Sequence, residues 1–221
     1  MDIHEALYTT RAMRRLSTEP VPADAIGRIL DAGLRAPTGG NAQDWRFVAV
    51  TDRAKIEALA AMYRDGLAKL FGGHYAKSNA EVRAAVAAGQ DDARTRQVVR
   101  VLNSTEHLAE HFHEVPLLMF GFTQTNQNPG SIWPALWSMC LAARAEGVGS
   151  TITTILGMFS HDESNGILGV PSGEGWIQHG CLPMGFPLGK WGVPARKPIG
   201  KVCFHDNWGA AASFPTPEML Y

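Results

Sequence analysis

The chain has 221 residues, a formal net charge of −1 and a sequence pI of about 6.7. This length allows one sizeable domain with a full hydrophobic core. The balanced charge gives no general reason to expect nucleic acid or a membrane surface as a partner. The three cysteines are far apart and include no C-x-x-C pair, which argues against disulfide bonds and a zinc cluster. There is no run of about 18 apolar residues and no basic-then-apolar leader, so we expect a cytoplasmic protein.

Hydrophobic periodicity and capping residues predict helices and a short strand in the first third of the chain. Apolar residues from Ile26 to Leu34 recur at the i, i+3, i+4, i+7, i+8 spacing of a helix packed on a core. Asp2 and Asp52 stand where a side chain caps the N-terminus of a helix. The predicted elements are a helix over 2–8, a helix over 22–35, a strand over 46–51 and a helix over 52–69.

The middle of the chain is less regular. Residues 70–80 look irregular, and 81–97 are rich in Ala, Arg and Gln but only weakly amphipathic. This composition is typical of a lid or of an arm that faces a partner, and we expect residues 63–97 to form such an insertion. From Val98 to Phe112 the helical period is regular again.

The second half is predicted to contain three strands and two helices. The helix after Ser131 is apolar on nearly all sides, which is typical of a helix in the centre of a core or between two subunits. The expected fold class is α+β, in a single domain spanning residues 1–221. The predicted elements are a strand over 115–122, a polar loop over 124–130, a helix over 131–147, a short helix opened by a capping box at 160–163, and strands over 176–186 and 199–205.

The most informative stretch is the loop between the second helix and the first strand, within residues 36–48. Gly39 and Gly40 can adopt backbone conformations that are closed to other residues, and they let a ligand approach the main chain. Thr38, Asn41 and Gln43 donate and accept hydrogen bonds without carrying charge. This chemistry suits a flat ring edged with heteroatoms, such as an isoalloxazine, better than it suits a phosphate.

Basic residues lie near both ends of the chain. Arg11 and Arg14 stand near the start, and Lys190, Arg196 and Lys197 near the end. Arginine binds phosphate through two parallel hydrogen bonds, although any single basic residue is more often a solvated surface charge. Together with the amide-rich loop, these segments indicate a cofactor that carries both a phosphate and a ring.

Four segments of the sequence form a pattern, namely residues 10–16, 35–47, 147–151, and 184–187 with 196–198. In this order along nearly the whole chain, they resemble the FMN-dependent nitroreductase and flavin reductase family. The resemblance implies an α+β fold with a small mixed, mostly antiparallel sheet surrounded by helices, in an intertwined homodimer with FMN at the subunit interface. By this resemblance the FMN-binding residues would be Arg11, Ala12, Arg14, Thr38, Gly39, Asn41, Gln43, Ser150, Thr151 and Arg196.

Three positions depart from the family pattern. The family often has an arginine at Thr10, a serine at Ala12 and a proline at Asp44. Because Thr10 stands in place of an arginine, phosphate binding is expected to be weaker. Asp44 in place of proline is expected to alter the turn before Trp45.

The resemblance also implies a reaction. FMN would accept a hydride from NAD(P)H at N5 and pass it to a nitroaromatic, quinone or similar acceptor. The chain has no G-x-G-x-x-G fingerprint after a strand, which fits a ping-pong scheme in which nicotinamide leaves before the acceptor binds. Catalysis would rest on proximity and preorganised electrostatics, so no catalytic residue is predicted.

Other interpretations stay open at this point. The same residues are compatible with non-catalytic FMN binding for storage or sensing, and relatives of the same fold are reductive dehalogenases or flavin-fragmenting enzymes. The dehalogenase interpretation needs lid residues, for which the chain offers Tyr63, Tyr75, Lys77 and Glu81.

Three histidines, His107, His111 and His179, allow both a structural and a functional interpretation. The string from His107 to His111, with Glu110, matches an H-x-x-E-H zinc motif, the basis for a metal hydrolase interpretation. Short motifs match often by chance, so the sequence favours ordinary histidines and no metal. His179 is expected to satisfy a hydrogen bond in the core rather than to act as a base.

Overall fold

The computed structural model describes residues 1–90, 92–124 and 129–215, and most of the predicted loop over 124–130 therefore lies outside the described residues. The chain divides into two compact units. One comprises Met1–Arg11 and the described residues from Lys190 onward, and the other spans Ala12–Gly189. Among the described helices, none combines the length and the apolar character needed to cross a membrane.

A four-stranded antiparallel sheet organises the larger unit. Its strands are β1 (Arg46–Val50), β2 (Leu117–Gln124), β3 (Gly149–Ser150) and β4 (Trp176–Gly185). They follow the order β1-β2-β4-β3, so β2 and β4 are central. Both central strands are buried along most of their length, as expected for a sheet that is covered on both faces. The pairing of β2 with β4 contains a β-bulge between Gly121 and Phe122.

Most helices of the larger unit cover the two faces of this sheet, and α4 packs on other helices instead. The helices are α2 (Ala23–Leu34), α3 (Arg53–Gly72), α4 (Ala76–Ala87), α5 (Ala93–Glu110), α6 (Ile132–Ala145), α7 (Ile155–Phe159) and α8 (His161–Leu168). Side chains alternate along β2, so its two faces contact different helices. Leu117 and Met119 pack in a core with α2 and α6, whereas Leu118 and Phe120 pack in a second core with α3, α5, α7 and α8.

Two of these helix contacts leave no room for a side chain. A Cβ atom added to Gly33 of α2 would lie 2.3 Å from Cε of Met139 on α6. A Cβ added to Gly157 of α7 would lie 2.5 Å from the backbone oxygen of Gln178 on β4. Glycine at residue 33 therefore lets the Met139 side chain pack directly on α2, and glycine at residue 157 lets α7 approach the backbone of β4.

The smaller unit contains α1 (Ile3–Thr9) and a 3₁₀ turn at Ile199–Lys201. The prediction of a strand over 199–205 is wrong, because this segment forms the 3₁₀ turn and one isolated antiparallel bridge between Phe204 and Ala211. The apolar residues of the segment are exposed, Val202 by 55% and Phe204 by 42%. An apolar run becomes a strand only where neighbouring strands bury it.

Most other predicted elements are confirmed to within a few residues. Asp2 and Asp52 cap their helices, with the side chains accepting hydrogen bonds from the backbone N–H groups of Glu5 and Lys55. The prediction of irregular structure over 70–80 is wrong, because α3 extends to Gly72 and α4 starts at Ala76. Alanine, lysine and glutamate favour a helix there, although α4 has no buried residue.

The predicted capping box at the start of α8 is also wrong. Ser160 occupies the N-cap position, but its side chain makes no capping hydrogen bond. Its φ of −148° and ψ of 38° follow from the preceding helix α7, which ends at Phe159 and leaves one residue between the two helices. Ser131 likewise holds the N-cap position of α6 without a side-chain cap.

Candidate functional site

The polar loop between α2 and β1 has an unusual backbone. It contains a short 3₁₀ turn at Gly39–Asn41, in which Gly40 has a φ of 58°. Asn41 and Gln43 also have positive φ values, 55° and 54°, which are uncommon for residues with a side chain. Backbone strain of this kind concentrates at ligand-binding and active sites. The loop is therefore a structural candidate for a binding site.

The side chains of this loop hold one another in place. Thr38 Oγ1 accepts a hydrogen bond of 3.2 Å from the backbone N–H of Gln43, and the Gln43 side-chain amide donates one of 3.1 Å to Asn41 Oδ1. Asn41 and Gln43 are exposed, so their remaining hydrogen-bonding groups face outward. Gly39 lies outside the left-handed region, but a Cβ on it or on Gly40 would meet no atom within 4 Å. Space around these two glycines therefore leaves the main chain accessible.

A small cavity of about 100 Å³ lies beside this loop. Its lining residues come from the loop, the end of β2 and the start of α6, namely Thr38, Gly39, Ala42, Asp44, Trp45, Thr123 and Ser131. Thr123 Oγ1 lies 2.6 Å from Nε2 of His179 on β4, at hydrogen-bonding distance. Burial lowers the pKa of His179 from its ordinary value, which favours the neutral ring. The hydrogen bond predicted for His179 is present, although the ring is half-buried and not in the core.

The basic segment at the start of the larger unit runs beside the edge of the sheet. Ala12 forms an isolated parallel bridge with Ser150, and the Met13 N–H donates a hydrogen bond of 2.9 Å to the Ser150 carbonyl oxygen. A Cβ on Gly149 would lie 2.9 Å from Cβ of Met13, so glycine is needed for this approach. Ser150 and Thr151 are buried at 5% and 4% exposure.

Arg14 in this segment is a half-buried cation, and burial lowers its pKa. Among the described residues, no carboxylate forms an ion pair with it, and the neighbouring group that affects its pKa is the hydroxyl of Tyr63. Tyr63 is fully buried and stacks on Phe112 with ring centroids 4.1 Å apart. A half-buried guanidinium without an anion favours an anionic ligand.

Two predicted cationic residues belong to the smaller unit. Arg11 donates from Nη2 to the backbone oxygen of Lys190 at 2.8 Å, and Arg196 donates from Nη1 to the oxygen of Ala195 at 3.1 Å. Both side chains are exposed, and neither forms an ion pair with a described acidic residue. Their role in phosphate binding stays a prediction.

The described structure thus brings the predicted residues of the larger unit together in two groups. One group holds Ala12, Arg14 and Ser150 at the edge of the sheet, and the other is the Thr38–Gln43 loop; within the part of the chain that is described, no hydrogen bond joins them. Sequence reasoning missed Thr123, and it offered Tyr63 only as a possible lid residue, not as a neighbour of Arg14. Thr123 is a polar residue that ends an apolar run, which is a usable signal, whereas Tyr63 fits the apolar pattern of α3 and gives none.

Comparison with known proteins places this arrangement in a family. The chain matches the Nitroreductase family over residues 7–186. An NADH dehydrogenase of Thermus thermophilus is 27% identical over 91% of this chain and 95% of its own.

Two solved structures share the fold. One is an iodotyrosine deiodinase bound to FMN and 3-iodo-L-tyrosine, with a TM-score of 0.70 and 19% identity over 93% of this chain and 99% of its own. The other is the FMN-dependent nitroreductase NfnB of Mycobacterium smegmatis in complex with NADPH, with a TM-score of 0.66 and 18% identity over 92% of this chain and 97% of its own. By its family match and its fold, the chain belongs to the nitroreductase family.

Proposed function

We propose that this protein is an FMN-dependent oxidoreductase that moves two electrons from NAD(P)H to a small aromatic, nitroaromatic or quinone-like acceptor. The observation that carries the proposal is Arg14, a half-buried guanidinium without a described carboxylate partner, on a segment anchored to Ser150. A phosphate is the kind of ligand that such a group binds. The binding of FMN by the deiodinase structure that shares this fold supports the choice of ligand.

The residues of the larger unit fit a phosphorylated flavin. Arg14 offers positive charge, and Thr38, Asn41 and Gln43 offer neutral donors and acceptors of the kind that a flavin ring edge needs. Space around Gly39 leaves the main chain accessible. One region would neutralise the phosphate, and the other would hold the ring without adding charge.

When bound, FMN would supply the redox chemistry, taking a hydride from NAD(P)H and delivering it to the acceptor in a ping-pong order. The protein's own residues would bind and orient the reactants. Buried Trp45 supports the end of the Thr38–Gln43 loop, and the internal hydrogen bonds of this loop hold its amides in place before a ligand arrives. This preorganisation lowers the entropic cost of reaction and needs no side-chain nucleophile.

We further propose a homodimer that completes the site. On α6, Trp133 and Trp137 are each 39% exposed, and Ile152 near Trp133 is 37% exposed. Exposed tryptophans clustered with other apolar side chains are typical of an interface.

Reductive dehalogenation is a second candidate for the activity. It is supported by the likeness to the iodotyrosine deiodinase structure and by 37% identity over 51 residues to iodotyrosine deiodinase 1 of Rattus norvegicus. Tyr75 and Lys77 are exposed near the start of α4 and suit a substrate lid. Tyr63 is buried and does not suit this role. We propose that α4, with the rest of residues 63–97, determines which acceptor enters.

A reduction screen tests the proposal. Purified protein loaded with FMN is supplied with NADH or NADPH and, separately, with a nitroarene, a quinone and 3-iodotyrosine. Turnover with the nitroarene or quinone is expected. Turnover restricted to iodotyrosine would favour the dehalogenase, whereas tight FMN binding without NAD(P)H oxidation under any acceptor would favour a storage or sensing protein.

A further inference from the structure

Three side chains with metal-binding atoms meet at the C-terminal end of α5. His107, Glu110 and His111 each place one such atom within 4.8 Å of the other two. The two imidazole rings are one helical turn apart, with centroids separated by 4.2 Å. His107 and His111 are half-buried and Glu110 is exposed, so the cluster is held by the fold yet open to an ion from solvent.

A fourth side chain orients one of these rings. Glu114 Oε1 lies 3.1 Å from Nδ1 of His111. A carboxylate oxygen accepts hydrogen bonds, so Nδ1 of His111 donates to it and Nε2 is the nitrogen left for a metal. A carboxylate behind a histidine is the usual outer contact of a metal-bound imidazole.

The charges around the cluster favour a cation, with one exception. Glu110 and Glu114 bring two carboxylates, and the last turn of α5 presents the negative end of the helix dipole. Arg15 opposes these groups, because its Nη1 lies 3.3 Å from Nδ1 of His107. Arginine has no acceptor, so it donates to this nitrogen and occupies a position that a metal would use or influence. Arg15 is exposed and free to leave.

We propose that His107, Glu110 and His111 bind one Zn²⁺ ion, and that Arg15 is the competing cation that leaves when the metal arrives. Two imidazoles and one carboxylate form a frequent zinc ligand set, with the fourth position left for water. Tetrahedral ligands at ordinary zinc distances lie ~3.3 Å from one another. From separations within 4.8 Å, this requires only small rotations of partly exposed side chains.

This site is independent of the proposed flavin chemistry. Its ligands are not among the predicted FMN-binding residues, and metal binding is measured without any redox reaction. The sequence alone favoured ordinary histidines here, because short motifs match often by chance. The structure adds that the ligand atoms of the three side chains lie within 4.8 Å of one another.

Calorimetric titration of Zn²⁺ into tag-free, chelator-treated protein tests the proposal. A Cys203→Ser background removes the exposed thiol, which is itself a zinc ligand. One ion per chain is expected, and His111→Ala should weaken its binding by at least ~10-fold. Glu110→Gln should also weaken it. The control is His74→Ala, which removes an exposed histidine outside the cluster and should leave the affinity unchanged.

Two further variants keep the result decisive. Arg15→Gln removes the competing cation and should tighten Zn²⁺ binding several-fold, a result that a merely destabilised fold would not give. If His111→Ala fails to fold by circular dichroism, His107→Gln replaces it, with the same expected loss. Zinc binding that survives in both His111→Ala and Glu110→Gln, or that is absent from the parent protein, would overturn the proposal. Weaker binding in Arg15→Gln would overturn the role given to Arg15.

Discussion

The Met13 backbone N–H donates a hydrogen bond to the Ser150 carbonyl oxygen at 2.9 Å, and this bond joins the basic segment to the edge of the sheet. The next residue along the chain is Arg14, whose guanidinium is half-buried. Two elements far apart in sequence therefore fix where this charge lies. A cation held in this way is ready for an anion before any ligand binds, which reduces the entropic cost of binding.

Replacement of Arg14 by alanine should weaken FMN binding by at least ~10-fold, because a charge-assisted hydrogen bond to phosphate is worth about 1.5–3 kcal/mol. The loss is measured by quenching of flavin fluorescence on titration into apoprotein. Arg64→Ala, which removes an exposed arginine of α3, is the matched control and should bind FMN as the parent does. Equal affinity in the two variants would remove Arg14 from the site.

Arg11 and Arg196 are predicted to bind the phosphate as well. Arg11→Ala and Arg196→Ala should each lower the flavin occupancy of purified protein while leaving its far-UV circular dichroism unchanged, because both side chains are exposed and form no described ion pair. Occupancy follows from the ratio of absorbance at the flavin band to that at 280 nm. A variant that purifies with full occupancy would show that its arginine lies elsewhere.

Alanine substitutions at two glycines distinguish the cost of a steric clash from the gain in helix propensity. Gly157→Ala should destabilise the fold by about 1–3 kcal/mol, because its Cβ would lie 2.5 Å from the Gln178 backbone oxygen. Gly166→Ala in the neighbouring helix α8 meets no atom within 4 Å and should stabilise the fold by about 0.5–1 kcal/mol. Urea unfolding measures both free energies. Equal effects of the two substitutions would contradict the close contact of α7 with β4.

His179 should make stability depend on pH. Its pKa in the folded protein lies below the ordinary value of 6.5, so the unfolded chain binds the extra proton more readily. Stability is therefore complete above about pH 6.5 and falls as the pH drops from there through the folded pKa. Urea unfolding between pH 7.5 and about pH 5 should give a shallower fall for His179→Gln than for the parent. Identical slopes would show that burial does not disfavour the charged ring.

The sequence-based predictions that the structure confirms depend on interactions between residues that are close in sequence. Asp2 and Asp52 were recognisable as helix caps, because the bond that a cap makes lies within three residues of it. The left-handed turn at Gly40 was foreseeable because few other residues adopt it.

Structural features that depend on contacts between residues far apart in sequence were predicted less accurately. The apolar alternation near Val202 looks like a strand, but in the described structure its side chains stay exposed. Tyr63 and Arg14 influence each other's pKa although they are far apart in sequence, and nothing near Tyr63 in sequence indicates this. The distance between His107 and Glu110 likewise depends on side-chain rotation, which a helical spacing leaves open.

The visible spectrum of the purified protein tests the central claim most directly. We expect a flavin band, present as isolated or restored by added FMN, which NADH or NADPH bleaches without oxygen and a nitroarene or quinone brings back. Colourless protein that does not take up FMN would contradict the account, and so would a bound flavin that stays oxidised with both nicotinamides.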